Sequence, residues 1–439
     1  MRNGRGPSKA LERNPALKAN FESSVQELRQ VTTLRQNQLN GALREEGDPI
    51  YVPVVFHIVL QNPNQVTDAQ VQAQLDVLNK DFAGLNGDST KIPGYFKPLF
   101  GKSKIQFKLA QRTPNDEPSN GINRYVTTRA SYAYTDNTLK YTASGGADSW
   151  DPTRYLNIWL TNISGGILGY ATFPGGSVAA EQGVVVLYSS VPGGSAAPYN
   201  KGRTLTHETG HYFFLYHIWG DDDGACSGTD YVDDTPNQSA ETGGCLTGLQ
   251  TDACAPAATG KMYQNYMDYT DDACMVMFTQ QQDTRMETAF NLYRASLLNS
   301  NGADPVVLKN VNASLRSINN PAYRVCIASF APSITLRNMG IQTLTAANIY
   351  ASIDGGTPVG TAWTGSLASR ATTNITLNNL TTVAGKHNLK IYVTDPNATT
   401  DGDMKDDTLT TVFEYFPRLI RPLPKGLKAI LSRHRVGIS

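Results

Sequence analysis

Thr206-His207-Glu208-Thr209-Gly210-His211-Tyr212-Phe213-Phe214-Leu215-Tyr216-His217 holds three of the six histidines in a 439-residue chain. On a helix, His207 and His211 are four residues apart and share one face, about 5–6 Å from each other. Two imidazoles placed that way can hold one zinc ion, at about 2.0–2.1 Å each. Glu208 falls between them, where a general base must stand to take a proton from zinc-activated water. His217 lies six residues beyond His211. It reaches the same ion only if the helix stops and the chain turns back. Three protein ligands leave a fourth position for water, which a catalytic zinc requires.

The flanking sequence predicts a sheet behind that helix. Ile50 to Leu60 (IYVPVVFHIVL) is a strand-like apolar run, and further strands are predicted at 105–109, 155–160 and 183–188. Thr67-Asp68-Ala69-Gln70 is a capping box, followed by Val71, Leu75, Leu78 and Phe82 on one helical face. A second box, Thr279-Gln280-Gln281-Gln282, opens a helix to about Leu298. Upstream, Asn14-Pro15 can open a helix with Leu17, Phe21, Val25 and Leu28 on one face. Downstream of about residue 305, short alternating runs separated by Gly and Asp turns predict a β-sandwich. The expected fold class is α/β (α+β), a twisted mixed sheet with an active-site helix, followed by an all-β sandwich of immunoglobulin or fibronectin type. The expected boundaries are 1–48 for an N-terminal arm that reads as a pro-segment, 49–300 for a catalytic domain, 304–417 for the sandwich and 418–439 for a basic tail.

Composition narrows the function classes. Lys plus Arg is 38 and Asp plus Glu is 38, so the chain lacks the basic excess typical of nucleic-acid binders. No apolar run approaches the ~18–20 residues of a membrane helix. No apolar h-region follows the basic first residues, so the sequence as written shows no signal peptide. Zero charge is a sum of segregated parts: residues 218–277 carry eleven acidic side chains and one basic one, Lys261. Four of the five cysteines, Cys226, Cys245, Cys254 and Cys274, lie in that segment. No C-x-x-C pair is among them, which favours two disulfides, and an oxidising compartment, over a metal cluster. Three pairings are open.

Asn265-Tyr266-Met267-Asp268-Tyr269 precedes the second capped helix, and a downstream Met-turn accompanies the extended histidine motif in metzincins. With VPVVFHIV, LGYATFPGG, LTHETGHYFFLYHIWG, DYVDDTP and YQNYMDYTDDACMVMFTQQQ, the sequence resembles the pappalysin-type metzincins, especially their secreted bacterial cytophagalysin branch. The resemblance runs from Ile50 to about Leu298. It implies a secreted zinc endopeptidase acting on proteins or peptides. His207, His211 and His217 become zinc ligands, Glu208 the general base, Met267 the Met-turn residue, and Tyr269 a group near the metal that can donate to an oxyanion. It also implies the pairings Cys226–Cys254 and Cys245–Cys274. Calcium in the acidic segment is a further implication, with Asp230, Asp233 and Asp234 as candidate ligands. Leu168, Gly169, Tyr170 and Ala171 become the rim that pairs with an extended substrate.

Three features depart from the family pattern. The motif has Gly where this chain has Phe214; if that position needs φ > 0, an aromatic is strained there, and Phe214→Gly is expected to raise stability or activity. No cysteine precedes Cys226, so a latent form would rely on occlusion or on Glu45, Glu46 or Asp48. The basic tail does not resemble a secretion-sorting domain. Two other readings stand beside the peptidase: an impaired, metzincin-like binding protein, and a gluzincin-type peptidase with an acidic third ligand such as Glu241.

Overall fold

A computed structural model of the chain describes residues 14–39, 49–135, 137–222 and 224–417. Glu45, Glu46, Asp48 and the basic tail lie outside the described residues. Two compact units divide the chain, Met1–Val306 and Val307–Ser439.

In the first unit, the long strand β1 (Ile50–Leu60) is the axis. Its first half pairs with β2 (Ile105–Leu109) and its second half with β3 (Ile122–Val126), both parallel and on one edge. On the other edge follow β4 (Leu156–Thr161) and β6 (Val184–Leu187), parallel, and then β5 (Gly169–Ala171), antiparallel to β6. Nine successive residues of β1 are buried, as expected of a parallel strand covered on both faces. The period of two still sorts them. Val52, Val54, Phe56 and Ile58 face the main core, while Val55 and Val59 join smaller clusters around Tyr155 and Trp159.

Among the described residues, four α-helices belong to this unit: α1 (Pro15–Leu39), α2 (Asp68–Phe82), α3 (Arg203–Tyr212) and α4 (Gln280–Tyr293). Asn14 caps α1 by accepting from Leu17 N, ahead of proline in the first turn. Leu28 of α1 is fully buried and Tyr293 of α4 donates to Ser24 O at 2.8 Å, so the two helices pack along each other. An ion pair between Arg35 and Glu287 at 3.0 Å adds to that contact. Both predicted capping boxes are present, at Thr67/Gln70 and at Thr279/Gln282.

The second unit is built from β7 (Ala313–Asn320) to β16 (Thr408–Tyr415). Between them run β8 (Arg324–Val325), β9 (Ser329–Phe330), β10 (Ser333–Asn338), β11 (Leu344–Ile353), β12 (Val359–Leu367), β13 (Thr372–Thr376), β14 (Leu380–Thr381) and β15 (Gly385–Thr394). They form sheets ordered β13-β10-β7, β12-β11-β15-β16-β8 and β14-β9. Inward residues of alternating strands, such as Leu389, Ile391 and Val393 of β15, meet Ile334, Leu336, Ile349 and Phe413 in one core.

The two capping boxes differ in what surrounds them. Thr67 is exposed, whereas Thr279 is fully buried and its hydroxyl also donates to Asp234 at 2.6 Å. Thr67→Ala is therefore expected to cost about 1 kcal/mol. Thr279→Ala should cost about 2–3 kcal/mol, because it also leaves Asp234 Oδ1 without a donor. Chemical denaturation of both variants checks the order.

Candidate active site

Helix α3 carries the histidines, and all ten of its residues are buried. Gly202 gives its N-terminus no side-chain cap. A distant carboxylate does the work instead: Asp272 accepts from Lys201 N at 2.7 Å and Arg203 N at 3.2 Å. Negative charge is favourable there because the first amides of a helix point outward unpaired. At the first position of the helix, Arg203 pairs through its side chain with buried Asp81 of α2 at 2.9 Å, and Asp81 also accepts from Thr206 and Tyr266. That carboxylate joins α2, α3 and the turn containing Met267.

The helix ends after Tyr212 in a Schellman turn. Phe214 N donates to His211 O at 2.9 Å and Leu215 N to Gly210 O at 2.9 Å, while Phe214 takes φ = 73°. This left-handed residue reverses the chain and returns His217 to the pair. The nitrogens of His207, His211 and His217 then lie within 4.8 Å of one another, and all three residues are buried. Glu241 is exposed and outside this group.

Each imidazole is oriented from behind. His207 Nδ1 meets Tyr266 O at 2.7 Å, His211 Nδ1 meets Leu215 O at 2.7 Å, and His217 Nδ1 meets the Asp221 carboxylate at 2.9 Å. A carbonyl can only accept, so the Nδ1 atoms of His207 and His211 carry the protons and their Nε2 lone pairs point inward. Burial and the neighbouring imidazoles hold His207 well below its ordinary pKa and push His211 down to about 3. Burial works against the charge on Asp221, but the hydrogen bond from His217, the charges of His217 and His211 and a bond from Trp219 together outweigh it and hold this carboxyl below its usual range. His207 Nε2 has no hydrogen-bond partner, and His211 Nε2 faces His217 Nε2 at 3.1 Å. Nitrogen lone pairs converging in a buried space, each backed by an acceptor, fit a divalent cation and little else.

Around this centre, Glu208 is 1% exposed, and burial raises its carboxyl well above the ordinary range. Its Oε1 has no hydrogen-bond partner. A Cβ at Gly169 would lie 2.7 Å from Glu208 Cγ, so the first residue of β5 must be small for Glu208 to fit. Thus the expected rim touches the expected base directly. Leu168 lines a cleft with His207, Tyr269, Thr204 and Met275, and Gly169, Tyr170 and Ala171 pair with Val186, Val185 and Val184. Met267 is fully buried, and its Sδ would be 2.6 Å from a Cβ at Gly210, which places it directly beneath α3. Tyr269 Oη lies 3.0 Å from His217 Nε2.

The acidic segment divides differently from the calcium expectation. Asp230 accepts from Val232 N and Thr235 Oγ1, and Asp234 from Thr279 Oγ1 and Gln281 N. Burial pushes them up to about 7 and about 6. Asp233 uses its backbone N–H toward Gln281. Among the described residues, these three do not assemble with a third carboxylate or imidazole into a metal-sized group. Asp221, grouped in the sequence with the other acidic residues, is the one that reaches the histidines. Disulfides Cys226–Cys254 and Cys245–Cys274, with Cα–Cα 5.2 and 5.6 Å, close loops of 28 and 29 residues. Each is worth about 3–4 kcal/mol in a chain-entropy account.

Comparison with known proteins finds metalloprotease relatives. Residues 140–291 match the family model described as Pregnancy-associated plasma protein-A. Extracellular metalloprotease 1 of Coccidioides posadasii is 33% identical over 269 residues, covering 58% of this chain and 82% of that protein. An extracellular metalloprotease of Verticillium alfalfae is 36% identical over 254 residues, covering 55% and 78%. Among solved structures, mature mirolysin of Tannerella forsythia in complex with a cleaved peptide is 42% identical, with a TM-score of 0.57 over 59% of this chain and 100% of that one. A point mutant of Tannerella forsythia promirolysin is 37% identical, with a TM-score of 0.60 over 68% and 97%.

Phe214 does occupy the left-handed region, and the structure shows what it does there. Its ring is fully buried, stacked on Phe21 of α1 at 5.7 Å and set against Phe173 and Tyr293. Arg285 donates to its carbonyl at 2.9 Å and lies 5.7 Å from its ring centroid. Relieving the left-handed conformation is worth about 1–2 kcal/mol, whereas deleting a buried Phe costs about 3–5 kcal/mol. Packing wins, so the expected sign reverses: Phe214→Gly should destabilise the protein by about 2 kcal/mol. A thermal melt that rises instead would show that strain dominates.

Proposed function

Because the chain belongs to the pappalysin family of metzincin metalloproteases and is a metalloendopeptidase, we propose that it is a secreted, zinc-dependent enzyme with its chemistry at the α3 histidines. One observation carries this reading: three buried imidazole nitrogens converge, each ring oriented by an acceptor on its far side. His207, His211 and His217 would hold the zinc, which when bound would supply Lewis acidity toward water and the scissile carbonyl. Glu208 takes a proton from the attacking water and passes it to the leaving amine. Tyr269 donates its hydroxyl to the developing oxyanion. Met267 supports α3 from below, and Asp221 fixes the ring of His217. An extended substrate adds along the β5 edge formed by Leu168, Gly169, Tyr170 and Ala171.

The extracellular relatives and the two disulfides support secretion. Residues 1–48 are proposed as a pro-segment, supported by the packing of α1 on Phe214 and α4. The catalytic domain is assigned to 49–300, and residues 304–417 to a β-sandwich accessory domain.

Glu208→Ala should keep the fold and one bound zinc while peptidase activity falls by at least about 10³-fold. Full activity in that variant would refute the assignment. His217→Ala should lose the metal itself, read by elemental analysis of purified protein. Tyr269→Phe should lower kcat by about 10²-fold with KM nearly unchanged, as for a donor used mainly in the transition state.

A further inference from the structure

The second unit holds a group of carboxylates that the peptidase chemistry does not use. The segment between β15 and β16 contains Asp401, Asp403, Asp406 and Asp407. Carboxylate oxygens of Asp401, Asp406 and Asp407 lie within 4.8 Å of one another. The backbone forces them together. Gly402 N donates to Val311 O, Leu315 N to Asp406 O and Val393 N to Asp407 O, each at 3.0 Å. Asp401 is fixed further by accepting from Ala313 N at 2.8 Å and Asp403 N at 2.9 Å. The loop is thus bound at both ends to β7 and β15, and its carboxylates cannot spread apart without breaking these bonds.

Oxygen atoms are left over. Asp407 is only 8% exposed, and its Oδ1 has no hydrogen-bond partner. Asp406 Oδ1 is likewise buried without a partner. Asn312, 5% exposed, donates its side-chain amide N–H to Asp406, and its own buried Oδ1 lacks a partner. Burial and the neighbouring carboxylates push Asp406 up to about 6 and Asp407 up to about 8. Unpartnered buried oxygens beside converging negative charge are costly unless a cation or a proton neutralises them.

We propose that Asp401, Asp406 and Asp407 form a calcium site that locks the β15–β16 connection. The donors are all hard carboxylate oxygens, which suits Ca²⁺. Mg²⁺ prefers to keep its waters and demands a near-octahedral set. Affinity should fall in the range of extracellular calcium modules, about 10⁻⁴–10⁻³ M.

The test uses the full chain carrying Glu208→Ala to suppress self-digestion. Lys405 is exposed within the loop and offers trypsin a cut beside the site. Calcium at about nine times the dissociation constant should slow cleavage after Lys405 by about tenfold, because opening is suppressed by a factor of one plus the ratio of free calcium to Kd. Adding Asp407→Asn should abolish this protection and lower bound calcium by one per chain in equilibrium dialysis. At about pH 9, above the raised Asp407 pKa, and without calcium, the same variant should melt higher than its parent, because a like charge is gone; a merely misfolded variant would melt lower. Asp401→Asn provides a second variant with the same expected loss of binding. Equal calcium stoichiometry and equal protection in parent and variants would overturn the site, as would cleavage that responds to pH and not to calcium, the signature of a shared proton.

Discussion

Everything at the centre depends on one reversal of the backbone. The i and i+4 histidines come free with any helix, but a third ligand six residues on does not. The chain has to leave the helix after Tyr212 and double back within two residues, which Phe214 achieves at φ = 73°. That turn also places the Leu215 carbonyl against His211 Nδ1. The feature that delivers the third imidazole therefore also orients the second. The Met267 turn does the same for the first, through Tyr266 O. Convergence of the lone pairs follows from where two irregular turns put their carbonyls, and α3 alone could not enforce it.

The same reasoning explains the acidic segment. Residues 218–277 contain no regular helix or strand among those described, so their amides lack the partners that secondary structure provides. Aspartates take that place. Asp222 accepts from Ser227 N and Gly228 N, Asp252 from Ser239 N, Cys254 N and Ala255 N, and Asp268 from Thr242 N and Tyr269 N. Asp234 and Asp272 terminate helices instead. Each short acidic side chain neutralises donors that water would otherwise satisfy, and the two disulfides limit the entropy the segment would regain on unfolding.

Legibility in the sequence tracked how local each signal was. Strand β1, both capping boxes and the faces of α1 and α2 depend on neighbours within a turn or two, and they stand where the pattern put them. The extended histidine motif is local in the same sense. Asp221 was visible only as one of several acidic residues, because nothing in its immediate sequence says that it will meet His217. Gly169 could be placed on the rim, but its need to be small arises from Glu208, 39 residues away in sequence, and is invisible without the fold. Strand β3 was missed for a related reason: none of its residues is fully buried, so apolar periodicity is weak.

Phe214 shows how a local rule can be broken when a distant contact compensates. Glycine would make the turn without strain, yet it would leave a hole between α1, Phe173 and Arg285. The aromatic ring fills that space and gives Phe21 a surface to stack on. Arg285, buried and with its guanidinium near the rings of Phe214, Tyr216 and Tyr231, holds the turn from its other side through the Phe214 carbonyl. Strain in one residue is therefore offset by packing from three elements that are remote in sequence. Because the strained residue lies three positions before His217, the packing of α1 and the position of the third imidazole are mechanically joined.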